Sequence, residues 1–577
     1  MGVLVVAFTR ILTTPRSHWE MDEILFHFGI DRYEPLAHHP HPPGYPLLIS
    51  LGKLLNAGLH DPFVSLVVLA FVSACAGFIG LAVAFRRFSK SEGIGVLGAL
   101  LFYMCAAMLV HSMTPMSDPP AIAFLAIALA LSIPGERMPE WGRMVAFGVA
   151  CSASIGCRPQ YAVAILPMFL AVVVVARGWR PRLGGLAAFT LASLAWFLPL
   201  VRAVGGLDAF VRYQAGQATG VVASDAGIAR GFLTFAGLMK RFVVYAWGPR
   251  DFGVLILLLA AIGVVLSIRR RFAAWPVALM ALVHLVFTVA VCDPADGIRY
   301  ALPFQMAVAF FLAVTLFEIA RRVRFLPVAA ILGAVIILIS LRTAGKVTIP
   351  RLRTVSPPVQ AARWANWRLP AEAVILCDQS LSPHRELLMP EFRAVPIEAG
   401  LREVWNRPDL EVWILVDGYS DVEGTQVFSW PESREYQRLT RNHYRVVSLV
   451  PLEPARRYLP MDGVYSWEWS PNYATWRWLD VAAEIRVPPG GPVLELVVEM
   501  PSKVPMTENQ VRFVLNGVEA TTIVLHPRER RTIRLDAGSG EALLGIESSQ
   551  SFVPARDFGG RDPRRLAIRL LDLRRTS

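Results

Sequence analysis

Long apolar runs fill the first 342 residues of this 577-residue chain and then stop. A helix that crosses a bilayer needs about 20 mostly apolar residues. Only 18% of the residues are charged, against roughly a quarter in soluble proteins. These features predict a polytopic α-helical membrane domain of about eleven transmembrane helices, at residues 2–14, 64–85, 94–111, 119–134, 144–157, 160–176, 184–203, 252–268, 273–291, 301–319 and 325–342.

Basic residues cluster at every second loop of this pattern, near 86–90, 137–143, 177–182, 269–271 and 321–324. Cytoplasmic loops carry such an excess of Lys and Arg. The pattern therefore predicts a multi-pass protein of the cytoplasmic membrane whose other loops and C-terminal tail face the periplasm. The net charge of +12 follows from this topology, so we expect the lipid bilayer, and not nucleic acid, as a partner.

The N-terminal run, GVLVVAFTRILTT, is short for a membrane span. It lacks the small-residue cleavage site of a signal peptide. We therefore interpret it as the first helix of the membrane domain.

The tail has the charge density of a soluble protein. Residues 343–459 combine a helical stretch with short apolar strands such as AVILCD and EVWILVD, and they predict a small α/β module. Residues 460–577 alternate strands and turns, which predicts an antiparallel β-sandwich. Tyr and Trp are frequent at its start, at residues 465–478. They either stack on sugar rings, or they fill a core or pack against the membrane domain, and we favour this second, structural role.

The sequence indicates neither a metal nor a disulfide framework. Three of the six cysteines lie in apolar runs and only Cys377 lies in the tail. His38, His39 and His41 stand close together in the first outer loop, but histidines in a proline-rich loop more often bind no metal. The sequence therefore indicates no cofactor beyond the substrates themselves, with a divalent metal as the alternative.

Three acidic residues, Glu20, Asp22 and Glu23, follow the first helix. A carboxylate there acts as a general base when an acceptor hydroxyl lies within hydrogen-bond distance; the alternative is a solvated acidic loop. The next segment, HPHPPGYPLL, favours a site, because its prolines exclude a regular helix and Gly44 allows a close turn. Irregular backbone at a membrane survives where it is buried in protein or lines a wet cavity.

Four motifs on the outer face resemble the GT-C polytopic glycosyltransferases, in the branch of protein O-mannosyltransferases and lipid A aminoarabinose transferases. The motifs are Asp22–Glu23, His41–Pro46, the SDPP of Ser117–Pro120 and the RYALP of Arg299–Pro303. The resemblance covers residues 1–342. It implies that Asp22 is the catalytic base with Glu23 beside it, Glu20 being the reserve candidate. It also implies that the motif residues His41, Tyr45 and Asp118 line the site.

The donor that this resemblance implies is a polyprenyl-phosphate sugar, whose phosphate gains negative charge as the glycosidic bond breaks. A fixed cation at that phosphate stabilises the transition state more than the ground state. Arg299, with Tyr300, and Arg158 are isolated at outward helix ends and are our candidates for this role. The alternative is that these arginines snorkel at the membrane edge.

The long outer loop 204–251 adds Lys240 and Arg241 within the amphipathic stretch GFLTFAGLMKRFVVYAW. Such a stretch lies flat at a membrane interface. We expect it to line the site and to guide the donor or the acceptor.

The sequence therefore predicts a glycosyltransferase that moves a hexose or pentose to an acceptor hydroxyl on a glycan, lipid or protein of the cell envelope. Transfer would invert the anomeric centre in a single displacement. One alternative is a flippase for a lipid-linked saccharide, which would carry charges inside its spans and internal repeats. The other is a non-catalytic subunit of a glycan-assembly complex.

Overall fold

The computed structural model describes the chain except for residues 136–137, 225–233, 421, 432, 442–443, 471–472 and 559–561, and it gives backbone alone for 220–224, 394, 469–470 and 473–475. The chain divides into two compact units. The membrane unit is Met1–Val355 with Glu432–His443, and the tail unit is Ser356–Pro431 with Tyr444–Ser577.

The membrane unit is helical. Its helices are α1 (Gly2–Ile11), α2 (Met21–Asp31), α3 (Pro46–Leu59), α4 (Pro62–Ser89), α5 (Glu92–Tyr103), α6 (Ala106–His111), α7 (Asp118–Ser132), α8 (Glu140–Cys157), α9 (Ala162–Val175), α10 (Trp179–Ala203), α11 (Leu207–Ser224), α12 (Phe235–Phe242), α13 (Arg250–Arg269), α14 (Trp275–Val291), α15 (Gly297–Tyr300), α16 (Leu302–Arg322) and α17 (Pro327–Arg353). One further helix, α21 (Arg434–Leu439), also belongs to this unit.

Every predicted span coincides with helix. Within the described residues, five helices are long and apolar enough to cross a membrane, namely α4, α10, α13, α16 and the helix that begins at Pro327. The predicted span 94–111 is two helices, α5 and α6, and the last helix continues past residue 342 to Arg353. The membrane character is confirmed, whereas the count of eleven spans and the side that each loop faces stay predictions.

Small residues let these helices approach closely, as in other membrane bundles. A Cβ atom added to Gly263 of α13 would lie 1.9 Å from the carbonyl oxygen of Phe311 in α16. In contrast, nothing lies within 4 Å of a Cβ added to Gly216 of α11. Helix α16 is buried along most of its length, and its Gln305 accepts a hydrogen bond from Trp247 Nε1 at 2.9 Å.

The first outer loop is more ordered than we predicted, because it holds two helices, α2 and α3. The proline-rich segment between them is not helical: Gly44 has φ +92° and Tyr45 has φ +41°. These two left-handed residues make the turn that starts α3, and Tyr33 donates a hydrogen bond to the Gly44 carbonyl at 2.9 Å. The turn directs Tyr45 back towards α2, where its ring lies 4.9 Å from the ring of Phe26.

The tail unit begins with a mixed five-stranded sheet of order β2-β1-β3-β5-β4. Strand β1 pairs in parallel with β2 and β3, and β5 pairs antiparallel with β3 and β4. The elements are α18 (Pro357–Arg368), β1 (Val374–Cys377), α19 (Ser382–Leu388), β2 (Arg393–Pro396), α20 (Ile397–Val404), β3 (Val412–Val416), β4 (Gln426–Ser429) and β5 (Val446–Pro451).

Two antiparallel five-stranded sheets follow, of order β13-β10-β15-β8-β7 and β12-β11-β14-β9-β6. Leu494 and Leu496 of the first sheet and Phe513 and Ile546 of the second share one apolar core. The strand-rich, antiparallel tail is confirmed, and its boundaries as separate domains and as a sandwich stay predictions. The elements are β6 (Leu459–Pro460), β7 (Val464–Ser470), β8 (Tyr473–Leu479), β9 (Ala482–Val487), β10 (Val493–Glu499), β11 (Asn509–Leu515), β12 (Val518–Leu525), β13 (Arg530–Asp536), β14 (Ala542–Ser548), α22 (Pro554–Asp557) and β15 (Ile568–Thr576).

Candidate active site

The three acidic residues of the first outer loop lie at the start of helix α2 but differ in position and burial. Glu20 is the N-cap residue with extended backbone, and Asp22 and Glu23 lie in the first turn, where the helix dipole favours negative charge. Glu23 is fully buried, and one of its carboxyl oxygens accepts a hydrogen bond from the Trp19 backbone N–H at 2.8 Å. The Asp22 side chain is 19% exposed. Of the two neighbours, only Asp22 has an open side from which a substrate can reach it.

Arg299 is the centre of a buried charge cluster. Its Nη2 lies 3.4 Å from Asp22, its Nε lies 3.3 Å from Asp118, and its Nη1 lies 2.9 Å from Asp296. A guanidinium has a planar set of donors suited to such carboxylate pairs. The contacts with Asp118 and Asp296 hold the guanidinium in place, and the guanidinium in turn contacts Asp22.

A second buried arginine, Arg158, shares Asp118 with Arg299. Its Nη1 lies 3.0 Å from Asp118 and donates to Ser117 Oγ at 2.7 Å. The ring of Tyr300 lies beneath both guanidinium groups, 5.4 Å from each Cζ. The Nε and Nη2 of Arg158 are buried and have no hydrogen-bond partner in the described part of the chain. They are therefore donors that an anionic ligand can use.

His41 and Tyr45 border Asp22 on the side of the proline-rich turn. His41 Nε2 lies 3.8 Å from Asp22 Oδ1 and 3.1 Å from the Tyr45 hydroxyl. Gln160, two residues after Arg158, donates to that hydroxyl at 3.4 Å. The turn thereby joins Asp22 to the segment that follows α8.

The three acidic residues have different protonation states. Burial raises the pKa of Asp22, but His41, Arg299 and Arg441 outweigh this effect and lower the pKa to about 2. Burial raises the pKa of Glu20 to about 7 despite Arg351, whose Nη2 lies 3.6 Å away. Burial likewise raises the pKa of Glu23 to about 8. At pH 7 Asp22 is ionised and Glu23 is largely neutral.

The structure brings seven of the predicted site residues into this one network: Asp22, His41, Tyr45, Asp118, Arg158, Arg299 and Tyr300. Arg158 and Arg299 are isolated from other basic residues in the sequence, but in the structure both pair with Asp118, and Arg299 also pairs with Asp22 and Asp296. Glu20 lies to one side, with Arg351.

Sequence reasoning missed four polar residues of the region: Gln160, Asp296, Arg351 and Arg441. Asp296 could have been found, since it lies three residues before Arg299 and the two form an i,i+3 pair. Arg441 lies 3.6 Å from Asp293. No local signal places it there, because it follows a long stretch of the tail unit.

Lys240 and Arg241 lie outside this network. They line a cavity of about 380 Å³ together with Arg434, Arg438, Tyr245, Gln437, Pro294 and Gly237. Among the described residues, the lining of this cationic cavity includes four basic residues and no acidic one. The first three residues of the predicted amphipathic stretch fall outside the described residues, and the rest includes α12, which buries Leu238 and Phe242.

An apolar groove of about 590 Å³ begins at the proline-rich turn, lined by α3, α8 and α10. Leu47 and Trp196 are among its lining residues. Both also contact Gly156, where an added Cβ would lie 3.0 Å from Leu47 Cβ and 2.9 Å from Trp196 Nε1. Helix α8, which lines the groove through Val149, Ser152 and Ala153, ends at Cys157, directly before Arg158 of the charge cluster.

No group of three or more His, Cys, Asp or Glu side chains that could hold a metal ion occurs in the part of the chain that is described. His41 contacts Asp22 and Tyr45. The ring of His39 lies 4.6 Å from that of Phe28.

Neither a family model nor a curated protein matches the sequence. Among solved structures, ArnT from Cupriavidus metallidurans, bound to undecaprenyl phosphate, is similar over 78% of this chain and 96% of its own, with 13% identity and a TM-score of 0.50. The chain has the GT-C fold. The fold that the four motifs predicted is thus confirmed, and the branch within it stays a prediction.

Two further structures align at lower scores. The archaeal oligosaccharyltransferase AglB from Archaeoglobus fulgidus aligns over 95% of both chains with 9% identity and a TM-score of 0.45. The arabinofuranosyltransferase AftD from Mycobacteria aligns over 99% of this chain and 59% of its own, with 11% identity and a TM-score of 0.42.

Proposed function

We propose that this protein is a membrane glycosyltransferase that transfers a sugar from a polyprenyl-phosphate donor to an acceptor hydroxyl. The observation that carries the proposal is the Asp22–Arg299 pair: an ionised, partly exposed carboxylate held at 3.4 Å by a buried arginine. A general base must be ionised and fixed at the acceptor. The GT-C fold shared with ArnT, which was solved with undecaprenyl phosphate, agrees with this class of donor.

In the proposed reaction Asp22 removes the proton from the acceptor hydroxyl as its oxygen attacks the anomeric carbon. The bond from that carbon to the phosphate oxygen breaks on the opposite side, so the anomeric centre inverts. The electron pair leaves with the polyprenyl phosphate. Glu23 does not suit this role, because it is buried and largely neutral at pH 7.

The donor phosphate would bind at Arg158, whose Nε and Nη2 have no partner among the described residues. Arg299 and Tyr300 lie beside it. The apolar groove would hold the isoprenoid chain, since it is lined mainly by apolar side chains, some of them on helix α8, which ends directly before Arg158. Phosphate and chain would then bind next to each other, as the donor requires.

The cationic cavity gives Lys240 and Arg241 a related role. Arg241 has its carbonyl oxygen 3.2 Å from a Cβ added to Gly297, the first residue of α15, and α15 carries Arg299. We therefore propose that the cavity takes an anionic part of the acceptor. The extracytoplasmic side of action is part of the same proposal and rests on the basic residues of the alternate loops.

The test uses the full chain in lipid nanodiscs. Undecaprenyl phosphate is the binding probe, and total lipid-linked sugars of the host are the donor pool. We expect Asp22→Asn to bind the probe as the wild type does and to lose sugar transfer, and Arg158→Gln to lose probe binding at least tenfold. If the wild type moved lipid-linked sugars across the bilayer without transferring them, the flippase interpretation would replace this one. If it neither bound nor transferred, it would be a non-catalytic subunit.

A further inference from the structure

One face of the tail unit presents a row of side chains that the reaction does not use. Trp478 of β8 is opposite Arg569 of β15, Arg569 is opposite Glu499 of β10, and Glu499 is opposite Arg530 of β13. Residues directly opposite each other in adjacent strands point to the same face of a sheet. An aromatic and three charged side chains thus cross four strands in one line.

Aromatic rings surround this row. The guanidinium of Arg569 lies 4.8 Å from the ring of Trp478 and 4.3 Å from that of Trp476. Two further rings, Tyr419 and Phe558, stand at the rim with 39% and 53% of their surface exposed. Trp478 belongs to the apolar core of the tail unit, and Tyr465, Trp467 and Trp476 pack against that core. These four aromatic residues agree with the predicted core role.

The row and the rings line a single cavity of about 1,080 Å³. Small-molecule sites occupy about 300–1,000 Å³, so this cleft has room for a chain of several sugar rings. Exposed aromatic faces beside charged hydrogen-bonding groups suit sugars, because each ring offers an apolar face and a rim of hydroxyl groups. An apolar peptide would leave the charged row without partners.

Basic residues outnumber acidic residues in the lining of the cleft. Its lining includes five basic residues and three acidic ones. The acidic residues are already paired: Glu468 and Asp562 with Arg564 at 2.6 and 2.7 Å, and Glu499 with Arg569 at 3.5 Å. The other three cations, Lys503, Arg528 and Arg530, form no ion pair with any carboxylate of the described residues.

We propose that this cleft binds an acidic oligosaccharide, a glycan segment whose sugars carry carboxylate or phosphate groups. The aromatic rim would stack on the sugar rings, and Lys503, Arg528 and Arg530 would pair with the acidic groups. The site lies wholly in the tail unit and needs no step of the transfer reaction. It would hold a glycan chain on the protein independently of turnover.

Calorimetric titration of the full chain in nanodiscs tests this proposal, with a galacturonic acid hexamer as acidic probe and a glucose hexamer as neutral one. We expect the acidic probe to bind at least tenfold more tightly than the neutral one. Phe558→Ala and Arg530→Glu should each weaken its binding at least fivefold. Trp367→Ala removes a more exposed ring of the same unit, 73% exposed and outside the cleft, and should leave the affinity for both hexamers unchanged.

Three results would overturn the proposal: no binding of either hexamer at millimolar concentration, equal binding of both, or loss of binding in Trp367→Ala to the same degree as in Phe558→Ala. Inorganic polyphosphate carries negative charge but no sugar rings, so its binding shows whether the cleft recognises charge alone. If it bound as tightly as the acidic hexamer and Phe558→Ala had no effect, the cleft would be a general anion site. Asp22→Asn should leave the hexamer affinity unchanged, so that failure of the transfer mechanism and failure of this proposal are distinguishable.

Discussion

Replacing Asp22 by Asn keeps the size of the side chain and removes its basicity. Loss of a general base costs about 10²–10⁴-fold in rate, so we expect sugar transfer by Asp22→Asn to fall by at least a hundredfold. Glu23→Gln is the matched control. Its carboxyl group is largely neutral at pH 7, with a pKa of about 8, and an amide of the same shape should leave the rate nearly unchanged.

The same substitution should lower stability by a predictable amount. The pKa of Asp22 falls from 3.8 to about 2 on folding, and each pKa unit corresponds to about 1.36 kcal/mol, so ionised Asp22 contributes roughly 2 kcal/mol. Because the folded pKa is the lower one, this contribution is complete above the unfolded pKa near 4 and is lost as the pH falls towards 2. Asn lacks it at every pH.

Thermal unfolding of both proteins in detergent, from pH 7 down to pH 3, measures this difference. Wild type should exceed Asp22→Asn at pH 7, and the gap should narrow in the acidic range. The rate of the wild type supplies an independent check. With Asp22 as base, the rate should be flat between pH 5 and 7. With Glu20 as base, whose pKa is about 7, the rate would fall about tenfold per pH unit below that value.

If Asp22→Asn retained more than a tenth of wild-type transfer while unfolding at a lower temperature, the role of Asp22 would be structural and not catalytic. A pH profile that falls below pH 7, with transfer lost in Glu20→Gln, would move the base to Glu20. A product that keeps the anomeric configuration of the donor would exclude the single displacement.

Three further predictions follow from packing, charge and topology. Gly263→Ala should lower the free energy of unfolding by about 1–3 kcal/mol through overpacking, whereas Gly216→Ala should not lower it; thermal unfolding of both variants measures this. Lys240→Glu should raise the KM for acceptor and leave binding of undecaprenyl phosphate unchanged, and the reverse pattern would assign the cationic cavity to the donor. A thiol reagent added outside intact cells should label Leu36→Cys and not Arg270→Cys. Labelling of Arg270→Cys alone would show that the orientation in the membrane is the reverse of the predicted one.

The sequence located the membrane helices because a bilayer demands long apolar runs, a signal that needs no knowledge of tertiary contacts. It also located the motif residues of the network, since Asp22, His41, Asp118 and Arg299 each follow or precede such a run on the same predicted face. The ion pairs between these residues could not be predicted from the sequence. Asp22 and Arg299 are 277 positions apart in the chain, and nothing local to either one indicates an ion pair.

The protonation states of the three acidic residues could not be predicted from the sequence either. Glu20, Asp22 and Glu23 look alike in the chain, yet burial and the nearby cations give them pKa values of about 7, 2 and 8. In the tail, β7 was overlooked as a strand although Tyr465 and Trp467 alternate with Ser466 and Glu468 in it. That alternation is the ordinary signal of a half-buried strand.

Residues 433–441 belong to the membrane unit although the chain on both sides of them belongs to the tail unit. Within the membrane unit, Leu439 accepts a hydrogen bond from His111 at 2.8 Å, and Glu435 pairs with Lys346 at 2.8 Å. A gene fragment that ends at residue 355 would therefore encode an incomplete membrane unit. Swapping tails between related chains would require junctions near residues 431 and 444 as well as 356, and the membrane unit is complete only after residues 356–431 of the tail unit have been synthesised.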